Sequence, residues 1–244
     1  MRKSVSKGIK KVYNFTKKTT MNQKLYMVSL GPGDVELLTL KALNAFKSSD
    51  AICVPTKSAD NSFAKSISYK IVQDALNLLG EEKEIIPVYS PMHFNYEDWV
   101  YEAQIILDSL QKYKTVSFVT LGDAAIYSSI YYLLDIIKEK DVKIYKNCEV
   151  IAGVTSFSAG SARVKKPLCL GDEQLHIKPI NPRGEVKTTE ILMRPRIGMD
   201  TKELGEGDFY TFENMYLKDE KIIPSKIEKV KKYMTLFIKF ASSK

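Results

Sequence analysis

Histidine and cysteine are scarce in this chain, 2 and 3 in 244 residues. Cys53, Cys148 and Cys169 are odd in number and spaced like neither a disulfide framework nor a zinc knuckle, which fits a reducing, cytoplasmic setting. With only His93 and His176 beside them, no cluster has metal-ligand spacing, and no protein-bound metal is expected. No apolar run is long enough to span a bilayer, and no internal repeat is present. The phosphate-cradling pattern G-x-x-x-x-G-K-[ST] is absent too, so a nucleoside triphosphate lacks its usual seat. Acidic residues are missing from the first 24 positions, which hold eight Lys and Arg. Those eight, taken from 37, leave 29 basic against 29 acidic residues, so the net charge of +8 belongs to the N-terminal stretch alone. The body of the protein is not basic, which argues against nucleic acid as its partner. Residues 1–23 lack the continuous apolar core of a signal peptide and are expected to be a basic, disordered extension with no assigned function.

What is present is an alternation of strands and helices. "KLYMV" reads as a strand, "SLGPGD" as a loop, and Leu37, Leu40, Ala42, Leu43 and Phe46 repeat near helical spacing. "DAICVPTKS" follows as a strand, "SISYKIVQDALNLLG" as a helix closed by Gly80, and "KEIIPVYSP" as a strand ended by prolines. "YEDWVYEAQIILDSLQKY" predicts an amphipathic helix and "KTVSFVTLGD" a buried strand with its loop. "AIYSSIYYLLDIIKEK" predicts another helix, with Ile126, Ile130, Leu133, Leu134 and Ile137 on one face, and "CEVIAGVTSFSAGSARV" runs from strand to helix again. This rhythm implies a largely parallel sheet with helices on both faces, an α/β domain over 24–166. From Pro167 onward the chain is loop-rich, with "EILMRP" and "KYMTLFIKF" as isolated strands, and 167–244 is expected to be a shortened C-terminal α/β domain.

Three strand-loop-helix junctions stand out: "GPGD" (31–34), "TLGD" (120–123) and "AGVTSFSAG" (152–160). In a parallel sheet such junctions lie at the carboxyl ends of the strands, where glycines admit a ligand to the backbone and helix N-termini offer N–H groups to an anion. Asp34 and Asp123 each precede a predicted helix, so capping is the plain alternative for both. The first loop lacks the third glycine of a dinucleotide fingerprint, and Asp50 stands before the next strand rather than at its end. A ligand with a carboxylate, a ribose and a positive centre suits this mixture of N–H donors and aspartates better. S-adenosylmethionine has those parts.

"LGPGDVELLTLKA", "VTLGDAAIYSSIYYL" and "AGVTSFSAGSARVKKPLCLGDEQL" resemble, in order and separation, the motifs of the tetrapyrrole methylases. Their wording is most similar to the precorrin-2 or cobalt-factor II C-20 methyltransferases of cobalamin synthesis. The resemblance implies two α/β domains with S-adenosyl-L-methionine in the cleft between them, and a homodimer. By position it implies a donor pocket of Leu30, Gly31, Pro32, Gly33, Asp34, Gly122, Asp123, Ile126, Tyr127, Thr155 and Ser156, with Leu192 and Met193 from a strand of the second domain. Ala124 and Ala152 stand where the family usually has proline, and the stretch from Asn181 to Tyr216 is shorter than its counterpart.

The donor arrives activated, so holding two reactants in line can supply roughly 7 to 11 kcal/mol of the barrier without a catalytic triad. No catalytic residue is assigned. A tetrapyrrole substrate carries many carboxylates, and Arg163, Lys165 and Lys166 are candidates to meet them, a solvated helix end being the alternative. Phe94, Tyr96 and Trp99 are candidates to stack on the macrocycle, or to anchor a helix start. Other readings stay open: another tetrapyrrole methylase, a diphthine synthase-like enzyme, a donor-binding scaffold without turnover, or glycine loops that are only tight turns. The sequence does not decide whether the substrate carries cobalt.

Overall fold

The computed structural model describes residues 23–64, 66–91, 93, 95–182 and 184–241. Residues 1–22, nearly all of the expected basic extension, and Phe94 lie outside the described residues. The chain divides between Gln174 and Leu175 into two units. The sequence reading placed the break eight residues earlier, where the last helix ends.

The first unit is built on five parallel strands: β1 (Lys24–Ser29), β2 (Ala51–Thr56), β3 (Glu84–Tyr89), β4 (Thr115–Thr120) and β5 (Cys148–Ile151), in the order β3-β2-β4-β1-β5. Among the described residues six α-helices accompany them: α1 (Leu40–Ser48), α2 (Ile67–Leu79), α3 (Tyr96–Lys112), α4 (Ile130–Lys140), the short α5 (Val142–Lys146) and α6 (Ser156–Val164). The period-2 alternation of the strands sorts their side chains between two cores. Val28, Leu30, Ile52 and Val54 pack with Phe46 of α1 and Ile71 and Val72 of α2. Leu25, Met27, Cys53 and Phe118 pack on the other face with Ile106 of α3 and Ile130, Leu133 and Ile137 of α4. Fully buried side chains such as Phe46 and Phe118 each contribute about 1.5–3 kcal/mol by leaving water.

Local signals place the helix ends. Thr39, Ser66, Asn95 and Thr155 cap α1, α2, α3 and α6 by accepting a backbone N–H three residues on. Gly80, at φ 64, closes α2 as expected. α4 begins at Ile130, five residues later than the predicted helix from Ala125, because the intervening backbone is claimed by side chains. Asp123 Oδ1 accepts the Ala125 N–H at 3.0 Å and Ser128 Oγ that of Ile130 at 3.3 Å, while Tyr127 stands at φ 52, which a right-handed helix forbids.

The second unit holds an antiparallel sheet of β6 (Glu190–Met193), β7 (Asp208–Glu213), β8 (Lys221–Ile223) and β9 (Thr235–Phe240), in the order β6-β9-β7-β8. Among its described residues there is no α-helix, only one 3-10 turn at Thr201–Leu204, which corrects the expectation of helices in this part. The physical reason lies in the pattern: alternation of period two recurs, as in Phe209, Thr211 and Glu213 of β7, all buried, and no stretch repeats at helical spacing. Phe209, Val230 and Phe237 form its small core.

Candidate active site

The three loops follow β1, β4 and β5, which are neighbours in the sheet. β1 leads to α1 on one face and β4 to α4 on the other, so the chain diverges between these adjacent strands. That divergence opens the crevice in which parallel α/β sheets bind ligands.

Backbone contacts then join the loops. Gly31 N–H donates to the Gly122 carbonyl at 3.0 Å and Gly122 N–H to the Gly31 carbonyl at 2.8 Å, with both glycines at positive φ, 68 and 78. This two-residue antiparallel bridge suits glycine, since other residues rarely take that backbone. Ser29, at the end of β1, accepts the Ala124 N–H on its hydroxyl at 2.9 Å. Gly153 comes so close that a Cβ there would lie 2.5 Å from Ser29 Cβ and 2.9 Å from the Gly122 oxygen. First, second and third motifs therefore meet at one point, Ser29.

The predicted residues fall into distinct positions around this point. Leu30 is fully buried with its side chain in the α1–α2 core, so only its backbone faces the junction. Pro32, Gly33, Asp34, Ser156 and Arg163 line an open cleft of about 1230 Å³. Asp34 accepts the Glu36 N–H at 3.0 Å and caps a 3-10 turn at Val35–Leu37, while Thr39 caps α1 itself. Asp123 likewise caps a turn rather than a helix. Tyr127 is 71 % exposed, Ile126 half-buried, and Thr155 caps α6 beside Ser156. Lys165 ends α6 at φ 55; it and Lys166 are exposed and outside the cleft lining, unlike Arg163. Leu192 and Met193 belong to the second unit, where they line a pocket of their own. Trp99 stacks face to face on Tyr132 of α4, centroids 4.0 Å apart, which is the anchoring alternative for that residue.

Sequence reasoning missed Ser29 and the residues of α2 in the cleft, Tyr69, Lys70 and Asp74. Nothing local marks them, since they become neighbours of the loops only through the sheet order. Burial and then the Asp123 carboxylate push the Tyr131 phenol up, which places a tyrosine within the field of that loop. Burial raises the Cys53 and Cys148 thiols to about 12, so neither serves as a nucleophile.

The backbone at the junction fits S-adenosylmethionine. Gly33 and Gly122 have open space where a side chain would stand, α6 presents its N-terminus at the cleft, and Asp34 and Asp123 supply negative charge suited to a ribose and a sulfonium. These features define a parallel α/β unit whose glycine loops gather at the carboxyl ends of its strands.

The family model for tetrapyrrole (corrin/porphyrin) methylases matches residues 24–202. The probable cobalt-precorrin-2 C(20)-methyltransferase of Methanocaldococcus jannaschii is 30% identical over 218 residues, 85% of this chain and 90% of that protein. The cobalt-precorrin-2 C(20)-methyltransferase of Salmonella typhimurium is 33% identical over 161 residues, 64% of this chain and 63% of that protein. A solved structure of a putative cobalamin synthesis related protein (CobF) from Corynebacterium diphtheriae has a TM-score of 0.52 at 14% identity, covering 88% of this chain and 97% of its own, and shares the fold. This chain belongs to the tetrapyrrole methylase family, the S-adenosylmethionine-dependent methyltransferases, with two domains. Among the described residues no helix is long and apolar enough to cross a membrane.

Proposed function

We propose that the protein methylates C-20 of precorrin-2 or of its cobalt form, as a cytoplasmic homodimer in cobalamin biosynthesis. The observation that carries the reading is the junction at Ser29, where the three motifs that resemble those of the C-20 enzymes meet through hydrogen bonds and a gap only glycine fits. The donor, when bound, supplies an electrophilic methyl on a sulfonium. The chain's own work is to hold it: the Gly31–Asp34 and Gly122–Asp123 loops approach by backbone, Ile126 and Tyr127 flank it, and Thr155 and Ser156 offer the start of α6. Orientation is the main contribution, because the meso carbon of a reduced macrocycle is already nucleophilic.

The test is calorimetric titration with S-adenosylhomocysteine, then turnover with precorrin-2 and cobalt-factor II scored as a one-methyl mass gain. Binding with the gain is expected, and the substrate that reacts reveals the branch of the pathway. Binding without it on either substrate would favour the scaffold reading. Light scattering tests the homodimer.

Asp123→Ala separates a ligand contact from a cap. Losing the turn hydrogen bond costs about 0.5–2 kcal/mol of stability. A lost contact to the donor costs about 1.5–3 kcal/mol more, on the order of 10- to 100-fold in S-adenosylhomocysteine affinity. Unchanged affinity in a destabilised variant would reduce Asp123 to its cap.

A further inference from the structure

The open cleft of the first unit is larger than one small ligand needs. Pockets that enclose a drug-sized molecule measure roughly 300–1,000 Å³, whereas this cleft measures about 1230 Å³. Of the expected donor residues, Pro32, Gly33, Asp34 and Ser156 line it, while Gly122, Asp123, Ile126 and Tyr127 do not. Most of the remaining wall comes from α2 with the loop before it and from α6. That part of the cleft has no role in the donor reading.

On the α2 side the wall is apolar and fixed. Ile67 is exposed in the cleft, and the rings of Phe63 and Tyr69 stack with centroids 4.3 Å apart and planes 4° from parallel. The Ser66 hydroxyl accepts the Tyr69 N–H at 3.1 Å and donates to the Pro55 carbonyl at 3.0 Å, which ties the start of α2 to the end of β2. On the α6 side Ser156, Ala159, Gly160 and Arg163 recur at helical spacing along one face, and no residue of this helix is buried. Gly160 has open space where a Cβ would stand. Each wall carries one exposed cation, Lys70 on α2 and Arg163 on α6, and neither takes part in a salt bridge among the described residues. Asp74, one turn beyond Lys70, is the acid of this part of the wall, since Asp34 belongs to the donor loop. An apolar slot with a cation on either side suits a flat ligand that bears carboxylates at its edge, and the acid restricts where those carboxylates can lie.

We propose that the slot between α2 and α6 seats the tetrapyrrole substrate, with Lys70 and Arg163 holding its carboxylates and Asp74 keeping them from one side. This rests on the methyltransferase reading and leaves the donor with the three loops. The first glycine loop and Ser156 line the same cleft as the slot, so both reactants share one space, as in-line transfer requires. Of the three cations expected from sequence to meet the carboxylates, the slot retains Arg163, and it adds Lys70, which stands far from Arg163 in the chain.

The experiment titrates uroporphyrin, a polycarboxylate tetrapyrrole, into the full chain, with its methyl ester as second probe and S-adenosylhomocysteine as control. Gly160→Leu fills the slot from an exposed helical position where leucine is a better helix former than glycine, so the fold is spared, and the denaturant midpoint checks this. It is expected to weaken uroporphyrin and the ester by at least about tenfold, with S-adenosylhomocysteine affinity held to about twofold. Lys70→Ala and Arg163→Ala should each weaken uroporphyrin by about fivefold to tenfold, whereas Asp74→Asn should tighten it by about twofold to fivefold. The ester should be indifferent to these three changes of charge. Opposite signs on one ligand and none on its ester are effects that a purely structural role does not produce. Uroporphyrin affinity unchanged in Gly160→Leu overturns the slot, as does failure of the wild-type chain to bind uroporphyrin. An equal loss of S-adenosylhomocysteine overturns it too, because the whole cleft then serves the donor, and weaker uroporphyrin binding in Asp74→Asn overturns the roles given to the charges. Failure of the wild-type chain to bind S-adenosylhomocysteine sinks the methyltransferase reading instead, and Gly160→Leu still decides the slot by its uroporphyrin affinity.

Discussion

Gly153→Ala is expected to separate the three loops and to weaken donor binding by at least about tenfold. The new methyl would stand 2.5 Å from Ser29 Cβ, 2.9 Å from the Gly122 oxygen and 3.4 Å from Ser29 Oγ. The first two obstacles are a Cβ fixed to a buried strand end and a backbone carbonyl, so no side chain can swing away. Relief requires moving the end of β1 or the second loop, and overpacking of this kind costs about 1–3 kcal/mol. The movement also breaks the Ser29 hydrogen bond to Ala124, so S-adenosylhomocysteine affinity should fall by at least about tenfold. Adding Ser29→Gly removes the nearest atom but leaves the Gly122 oxygen and deprives Ala124 of its acceptor, so it should restore stability only in part. Denaturant midpoints of the two single variants and the double, closed as a cycle, measure the coupling. A Gly153→Ala protein with wild-type midpoint and affinity would show that the loops do not meet at Ser29.

The second large effect concerns Glu102, which sits on α3 with only 2 % of its surface exposed. One carboxyl oxygen accepts the Ser90 hydroxyl at 2.8 Å, and the other has no hydrogen-bond partner among the described residues. Burial raises its pKa to about 7, against the pull of the Ser90 hydrogen bond, and Asp98 one turn earlier adds to the rise. Asp98 in turn lies 3.5 Å from the His93 ring. The folded chain thus holds a proton on Glu102 that the unfolded chain releases near pH 4.5. The stabilisation is complete below that pH and is lost as pH climbs through about 7. The span of about 2.5 pH units corresponds to roughly 3 kcal/mol. Glu102→Gln keeps a donor and an acceptor but cannot ionise, so it should match the wild type below about pH 4 and exceed it by roughly 3 kcal/mol at pH 8. Urea midpoints across that range decide it, and parallel curves for the two proteins would refute the assignment.

Much of the first unit was legible because its strands and helices obey simple periods. The alternation in "KLYMV" and "TVSFVT" sends neighbouring side chains to opposite cores, and a cap such as Thr39 or Gly80 is a local matter of one hydrogen bond or one φ. The misplaced start of α4 shows where local reading fails: "AIYSSIYYLL" has the right apolar spacing, yet Asp123 and Ser128 outcompete the helix for N–H groups. In the second unit "DFYTFE" carried a readable alternation that was passed over, whereas β8 is only three residues long and has no pattern to read. The candidate site divides the same way. The glycine loops were visible as words in the chain, but their union at Ser29 depends on strand order and on contacts between residues far apart in sequence.

The bridge between Gly31 and Gly122 has a consequence for the protein's synthesis. The first glycine loop leaves the ribosome together with the strand that precedes it, but the carbonyl and N–H it will pair with belong to a segment made about ninety residues later. Gly153, which abuts both, follows later still. Until β4 has slipped between β1 and β2, the nascent chain carries a glycine loop with the right sequence and no shape of its own. The junction of the three loops thus waits on the last of them, and a chain stalled before residue 153 lacks the segment that closes it.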